Sequence, residues 1–319
     1  MRAWKLISGL LVSIVWAASA SAQTVSIITT PTGSFSNSGG AAMAKVVTEK
    51  AKLRMIVQAQ ASTGFDELES GSAEFNVSNS FDVTFVVNGS GDYEGQGVKK
   101  NIRYVASMVP YRVAMHVRAD SDIRTMADLK GKRVSAGFNA QKTIGRIIEA
   151  HLANAGLSMK DVVGVPTPNV VSQANDFKAG KVDVLFFALG SGAVKEASAT
   201  VGGLRALPID DSPDALARMQ AILPGSYVLT VDPAPGIDGV TQPTKLTAFD
   251  MVLNSSTYVA EDVIYRAVKA LHDNKADLAA TFPPFALFVP DQMGKSVQGV
   301  ELHPGAAKFY KEAGIAPKS

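Results

Sequence analysis

Cysteine is absent from all 319 residues. That excludes disulfides, thiol nucleophiles, cysteine-ligated zinc and iron–sulfur clusters together. Histidine is scarce: His116, His151, His272 and His303 are the full set, and no two stand within five residues of each other. No local HxxxH-type metal pair exists, and no cofactor is expected. Excess charge is lacking as well. Lys+Arg total 31 against 29 Asp+Glu, and once Arg2 and Lys5 are set aside the remainder is balanced. A balanced chain has no global field for nucleic acid or an anionic membrane surface. Tryptophan occurs only at Trp4 and Trp16, and beyond residue 22 no apolar run is long enough to span a bilayer.

What is present starts with an address. Residues 1–22, MRAWKLISGLLVSIVWAASASA, carry Arg2 and Lys5, then a short apolar stretch from Leu6 to Ala17, then Ala20-Ser21-Ala22. Charged start, short apolar core and small residues at the cut form the pattern of a secretory signal peptide. We expect cleavage after Ala22 and a periplasmic product that does not itself span the membrane.

The remaining chain has the rhythm of an α/β protein. Residues 24–30 (TVSIITT) read as a strand, Pro31 to Gly40 as a loop, Ala41 to Lys52 as a helix and Leu53 to Ala59 as a second strand. Further strands are predicted at 102–108, 112–118, 132–136, 162–165, 182–187, 204–208 and near 247–254. Helices are predicted at 125–130, 141–155, 170–179, 191–199, near 259–273 and near 304–313. One weak repeat stands out. Leu68-Glu69-Ser70-Gly71-Ser72-Ala73-Glu74-Phe75 resembles Phe177-Lys178-Ala179-Gly180-Lys181-Val182-Asp183-Val184. Each reads as a helix end, a glycine suited to a left-handed cap, an acidic residue and a strand. Two such units suggest two similar α/β lobes.

Several motifs tempt and fail. Gly294-Lys295-Ser296 ends like a phosphate-binding loop, but the position that needs the first glycine is Val289. Gly89-Ser90-Gly91 lacks the third glycine of a dinucleotide fingerprint, having Glu94 there. Gly190-Ser191-Gly192 is too tight for a nucleophile elbow. The pairs Asp210-Asp211 and Glu261-Asp262 stand at expected helix starts, where acids complement the helix dipole. No acid–base–nucleophile set emerges, so no enzyme is expected. The loops carry short neutral donors instead: Thr32-Gly33-Ser34-Phe35-Ser36-Asn37-Ser38, Ser78-Asn79-Ser80 and Gly137-Phe138-Asn139-Ala140-Gln141-Lys142-Thr143. In open α/β sheets such loops lie at the carboxyl ends of strands, where ligands bind. Helix N-termini there suit a carboxylate or phosphate, although Ser, Thr and Asn are also ordinary helix caps.

Certain of these residues carry a family resemblance. Thr32-Gly33-Ser34, the run from Leu68 to Phe75, Asp128-Leu129-Lys130-Gly131-Lys132-Arg133-Val134, the run from Phe177 to Phe187, and above all the C-terminal run from Leu302 to Gly314 (LHPGAAKFYKEAG) are similar to the TAXI-type solute-binding proteins of TRAP transporters. These are the "TRAP-associated extracytoplasmic immunogenic" proteins. The resemblance implies a type II periplasmic-binding fold: two α/β lobes joined by two crossover strands, with a ligand cleft between them. The crossovers fall near 112–118 and 247–254. The first lobe is then 23–117 with 249–319, and the second 118–248. It implies that Phe81 to Val87, strand-prone by local propensity, is helical. It also implies a small organic acid as ligand and TRAP membrane subunits, a fused large subunit included, as partners. An exported enzyme on the same fold, or a module feeding a sensor or an ABC importer, are the alternatives.

The departures bear on the ligand. Asn37-Ser38-Gly39-Gly40 stands where the family has Gly-Thr-Tyr-Tyr, and Val109-Pro110-Tyr111 where it commonly has Tyr-Pro-Glu. Of the family's Gly-Ser-Gly-Thr, Ala140-Gln141-Lys142-Thr143 keeps only the threonine. Family ligands include glutamate, glutamine and 2-oxoglutarate-like acids. With Tyr111 in place of an acidic residue, and with Lys142 adding positive charge, we expect a keto, hydroxy or aromatic acid without an ammonium group, glutamate or glutamine being the alternative. Expected ligand-binding residues are Thr32, Gly33, Ser34, Phe35, Ser36, Ser38, Asn79, Tyr111, Asn139, Gln141, Lys142, Thr143 and Phe187. Arg112 is a second basic candidate.

Overall fold

The structure, a computed structural model, describes residues 23–315; the leader assigned to residues 1–22, with both tryptophans, lies outside the described residues. Strand β1 (Gln23–Thr29) leads into helix α1 (Phe35–Lys50) and strand β2 (Leu53–Ala59). Helix α2 (Phe65–Ser70), strand β3 (Phe75–Asn79) and helix α3 (Ser80–Asn88) follow. Strand β4 spans Ile102–Arg118, and the short strand β5 covers Arg133–Ala136. Then come helix α4 (Lys142–Asn154), strand β6 (Val163–Pro166), helix α5 (Val170–Lys178) and strand β7 (Leu185–Ala188). Helix α6 (Gly192–Val201), strand β8 (Leu204–Ala206), helix α7 (Pro213–Ile222) and strand β9 (Tyr227–Val231) complete the middle of the chain. Strand β10 (Thr244–Ser256), helices α8 (Glu261–Asp273) and α9 (Lys275–Thr281), and helix α10 (Pro304–Glu312) close it.

Two strands organise everything else. β4 and β10 pair antiparallel from Ile102–Ser256 at one end to Val113–Thr247 at the other. At the first end β10 also pairs with β3, which pairs with β1, and β1 with β2, giving the order β2-β1-β3-β10-β4. At the other end β9 pairs with β10, while β7 and β8 pair with β4. Each long strand thus belongs to two groups of neighbours, as crossovers between two lobes do. Nearly every residue of β4 from Ile102 to Val117 is buried, because elements cover both faces. The separate strands predicted at 102–108 and 112–118 are one strand. Pro110, which has no N–H to donate, sits inside it opposite Asp250, where β10 bulges and the ladder is irregular.

The sequence repeat is a structural repeat. Gly71 caps α2 and Gly180 follows α5, both with left-handed backbone, at φ 74° and 72°. The acidic residue of each copy then ties down a neighbouring strand. Glu74 Oε2 accepts from the Ser26 amide at 2.7 Å, and Asp183 Oδ2 accepts from the Arg133 amide at 2.8 Å. β3 and β7 occupy matching places, each antiparallel to one crossover.

Local propensity is overruled at α3. Its sequence, SFDVTFVVN, is β-prone, yet Asn79 caps the helix by accepting from the Asp82 amide at 2.8 Å, and Gly89 ends it in the left-handed region. The helix at 125–130 shrinks to a 3₁₀ turn over Met126–Leu129, closed by Thr125 and Asp128. Helices α7 and α9 and strand β9 were not expected; Ser212 followed by Pro213 is a start signal that marks α7.

The C-terminal run LHPGAAKFYKEAG proves to be a clamp. His303 accepts from the Gly305 amide through Nδ1 at 3.1 Å, and its Nε2 lies 3.2 Å from the Val259 carbonyl. Tyr310 donates its hydroxyl to the Val105 carbonyl at 2.7 Å. Gly305 is required by proximity: a Cβ there would stand 2.2 Å from the Glu261 carbonyl oxygen. The motif therefore fastens α10 to α8 and β4 and does not touch the cleft.

Candidate functional site

Between the two groups of elements lies a cleft with some 630 Å³ of space outside atoms, part of it open to solvent. Its walls are mainly apolar: Phe35, Val77, Tyr111, Val113, Ile144, Ile147, Val170, Phe186, Phe187, Ala188 and Phe249. Tyr111 is wedged between Phe35 and Phe249, with ring centres 4.9 and 5.5 Å away. Its burial raises the phenol pKa, with the nearby Asp82 charge acting in the same direction. It is a neutral wall at any ordinary pH.

The polar lining is concentrated at two places. At the start of α1, Thr30, Ser34 and Ser36 form a buried hydroxyl cluster. Thr30 donates to Ser34 Oγ at 2.8 Å, Thr30 and Ser36 share a short hydrogen bond, and the Ser36 oxygen accepts from the Thr30 amide at 3.2 Å. Ser34 also caps the helix, accepting from the Asn37 amide at 3.2 Å. The first amides of an α-helix have no partner within it, so these hydroxyls sit beside a donor-rich end.

The second place is Asp82, in the first turn of α3. It is 1% exposed. Its Oδ1 accepts from Thr143 Oγ1 at 2.7 Å and from the Tyr93 hydroxyl at 2.9 Å. Its Oδ2 is buried without a partner. Burial pushes the carboxyl pKa from 3.8 up to about 6, against the pull of the two hydroxyl donors. Tyr93 is raised by burial and by the Asp82 charge. Thr143 opens α4, so the Thr143–Asp82 bond crosses the cleft. Two more contacts cross it. Arg146 on α4 pairs with Asp92 at 2.9 Å and lies over the Phe85 ring at 5.1 Å. The Ala193 amide at the start of α6 donates to the Gly33 carbonyl at 3.2 Å.

Eight of the expected site residues line this cleft: Ser34, Phe35, Ser36, Asn79, Tyr111, Gln141, Thr143 and Phe187. Five do not. Thr32 is exposed, and Gly33 is occupied by the contact to Ala193. Ser38 donates its hydroxyl to the Ser34 carbonyl at 3.3 Å, one turn into the helix. Asn139 and Lys142 are exposed and line a neighbouring depression with Tyr93 and Lys99. Lys142 precedes the buried Thr143 on the helix, and a step of one residue turns the side chain by about 100° away from the face that Thr143 uses. Arg112 is half-buried on β4 and does not line the cleft. No Lys or Arg is among the lining residues.

The expectation that the cleft lacks an acidic group is thereby corrected. Tyr111 carries no charge, but Asp82 supplies a carboxylate. Asp82 lies inside a helix and not in one of the donor-rich loops, where short neutral donors cluster. The spacing Asn79-x-x-Asp82, a capping residue followed three positions later by an acid, is the signal that marks it.

The chain shares its fold with solved periplasmic binding proteins. The solved structure of a periplasmic transporter superposes with a TM-score of 0.60 at 15% identity, covering 93% of each chain. The periplasmic binding protein BugD superposes with a TM-score of 0.59 at 10% identity, covering 93% of this chain and 99% of its own. The substrate-binding protein of an amino acid ABC transporter gives a TM-score of 0.50 at 11% identity, covering 81% and 98%. At such identities the likeness is one of fold. The chain belongs to the NMT1-like family, whose model matches residues 27–314. Among the described residues no helix is long and apolar enough to cross a membrane.

Proposed function

We propose that the protein is the periplasmic solute-binding component of a TAXI-type TRAP transporter, with residues 23–117 and 249–319 as one lobe and 118–248 as the other. The observation that carries the binding role is the cleft itself: an apolar chamber with buried polar groups at two points, bridged by Thr143 and Asp82. The TRAP assignment rests on the sequence runs, the stretch from Leu302 to Gly314 above all. The ligand is a small organic acid with an apolar body. Its carboxylate sits at the start of α1 against Ser34 and Ser36, and its body packs on Phe187, Ile144 and Phe35. The lobes close about it through bending of β4 and β10, and the closed surface is what the membrane subunits recognise. The protein is exported, with the leader cut after Ala22.

Uptake measured in vesicles containing the adjacent membrane subunits tests the transport role. Uptake driven by an imposed ion gradient, without ATP, is expected. Dependence on ATP hydrolysis would assign the protein to an ABC importer instead. Sequencing of exported protein checks the leader, with Gln23 expected first.

A further inference from the structure

Asp82 is an expensive residue for a purely structural part. Thr143 and Tyr93 both donate to Oδ1, and an asparagine oxygen would accept the same two bonds. The second oxygen, Oδ2, is the atom that distinguishes aspartate, and it is buried, unpartnered and part of a residue that lines the cleft. Among the described residues no ion pair to it is formed. Arg146, three residues after Thr143 on α4, is taken up by both oxygens of Asp92, at 2.9 and 3.2 Å. A buried carboxylate with a free oxygen and no counterion is a poor arrangement for stability, and it is complete only when something cationic arrives.

The rest of the lining limits what that something can be. With no Lys or Arg in the cleft, a ligand of net negative charge would face Asp82 uncompensated. A second carboxylate on the ligand would find no cationic partner among the lining residues. The remaining walls are mostly hydrocarbon and aromatic, with the neutral polar groups of Thr63, Ser78, Asn79 and Gln141.

We propose that Asp82 Oδ2 receives an ammonium group of the ligand, making the solute an apolar zwitterion: carboxylate at the α1 hydroxyls, ammonium at Asp82, and a branched or aromatic body between Ile144, Phe187 and Phe35. The proposal rests on the reading of this cleft as a solute site. It assigns Asp82 the discrimination between amino and keto acids of one skeleton.

Titration calorimetry with matched probes tests it: leucine against 4-methyl-2-oxopentanoate, phenylalanine against phenylpyruvate, and glutamate as the doubly acidic control. The wild-type protein is expected to bind the amino member of a pair more tightly than the keto member, and glutamate weakly. Asp82→Asn is expected to weaken the amino acid on the order of 100-fold, the scale of removing one partner of a buried charge pair. The keto acid should be unaffected or gain, which also shows that the variant is folded. Tighter keto-acid or glutamate binding by the wild type, equal losses for both pair members in Asp82→Asn, or no binding by either pair would overturn the proposal. Ala188→Phe, which fills the cleft, separates the two levels. If it leaves binding intact in a folded protein, the reading of the cleft fails; if it abolishes binding while the Asp82→Asn pattern is absent, only the ammonium assignment fails.

Discussion

Thr143 and Asp82 stand on opposite sides of the cleft and are joined by a hydrogen bond of 2.7 Å, made to the same carboxylate oxygen that Tyr93 also reaches. Recognition and closure therefore meet in one side chain. Thr143→Val keeps the shape and removes the donor. We expect it to weaken binding of an identified ligand by about 1–3 kcal/mol, because a charge-assisted bond is lost across the lobes. Small-angle scattering should report a larger radius of gyration for the variant than for wild type without ligand; equal radii would show that the bond does not hold the lobes together.

Arg146 supplies a second clasp, joined to Asp92 and resting on Phe85. Arg146→Gln loses both contacts. Both partners are partly exposed, so an effect of roughly 1 kcal/mol on closure is expected, reduced by salt. A double-mutant cycle with Asp92→Asn measures the coupling. Additive effects would indicate that the pair contributes nothing beyond its separate parts.

Asp82 should cost the empty protein stability. Its folded pKa of about 6 lies above the ordinary 3.8, so the folded state keeps a proton that the unfolded chain has already released. Stability from this group consequently falls as pH rises from about 4 to about 6, and the penalty is complete above that window. Two pH units correspond to about 3 kcal/mol. Asp82→Asn should therefore raise the urea midpoint at pH 7.5 and leave it nearly unchanged at pH 3.5. A destabilised variant at pH 7.5 would contradict this account.

Two buried histidines act in the opposite direction. His116 and His151 each have one ring nitrogen without a partner, and burial lowers both pKa values from 6.5 to about 4. Below pH 6.5 the unfolded chain binds protons that the folded chain refuses, so stability drops from about pH 6.5 down to about pH 4. The pair outweighs Asp82, and wild type should lose several kcal/mol across that interval. Urea titrations at pH 7.5, 5.5 and 4.5 check it; a flat profile would rule it out.

Gly305 permits the backbone approach that locks α10 in place. Gly305→Ala puts a methyl group 2.2 Å from the Glu261 carbonyl oxygen, so α10 must shift. We expect a loss of about 2–4 kcal/mol, in the range of overpacking with backbone strain. Affinity per folded molecule should be preserved, because the clamp does not line the cleft. A parallel loss of affinity would mean that the clamp also sets the cleft geometry.

How far the chain could be read in advance depended on where the information was local. The alternation in TVSIITT and the helix-end glycines Gly71 and Gly180 act over a few residues, and they gave β1 and the repeated unit correctly. Ser34, Ser36 and Thr143 were legible because caps and donor loops have a composition of their own. Asp82 was not, since its meaning depends on Thr143 and Tyr93, which are remote or hidden in a Gly-rich loop. Lys142 is exposed for a related reason: adjacency in sequence to Thr143 says little about direction on a helix. Tyr111 lines the cleft, but its neighbours Phe35 and Phe249 lie beyond any local pattern.

The sheet pairing has a consequence for biosynthesis. β3 gains its antiparallel partner only when β10 is made, more than half the chain later, and α10 then fastens the same group of strands from the far end. The elements from β5 to β8 have no such wait, since β4 is already present to receive β7 and β8, whereas β9 joins when β10 is made. Chains emerge from the ribosome N-terminus first, and long-range pairing is slow. The middle of this protein can thus order itself while both ends are still unfinished, and its beginning stays open until its last helix arrives. A nascent chain stalled before residue 244 should be digested in its first 79 residues by a dilute protease, while a chain released at Ser319 should resist.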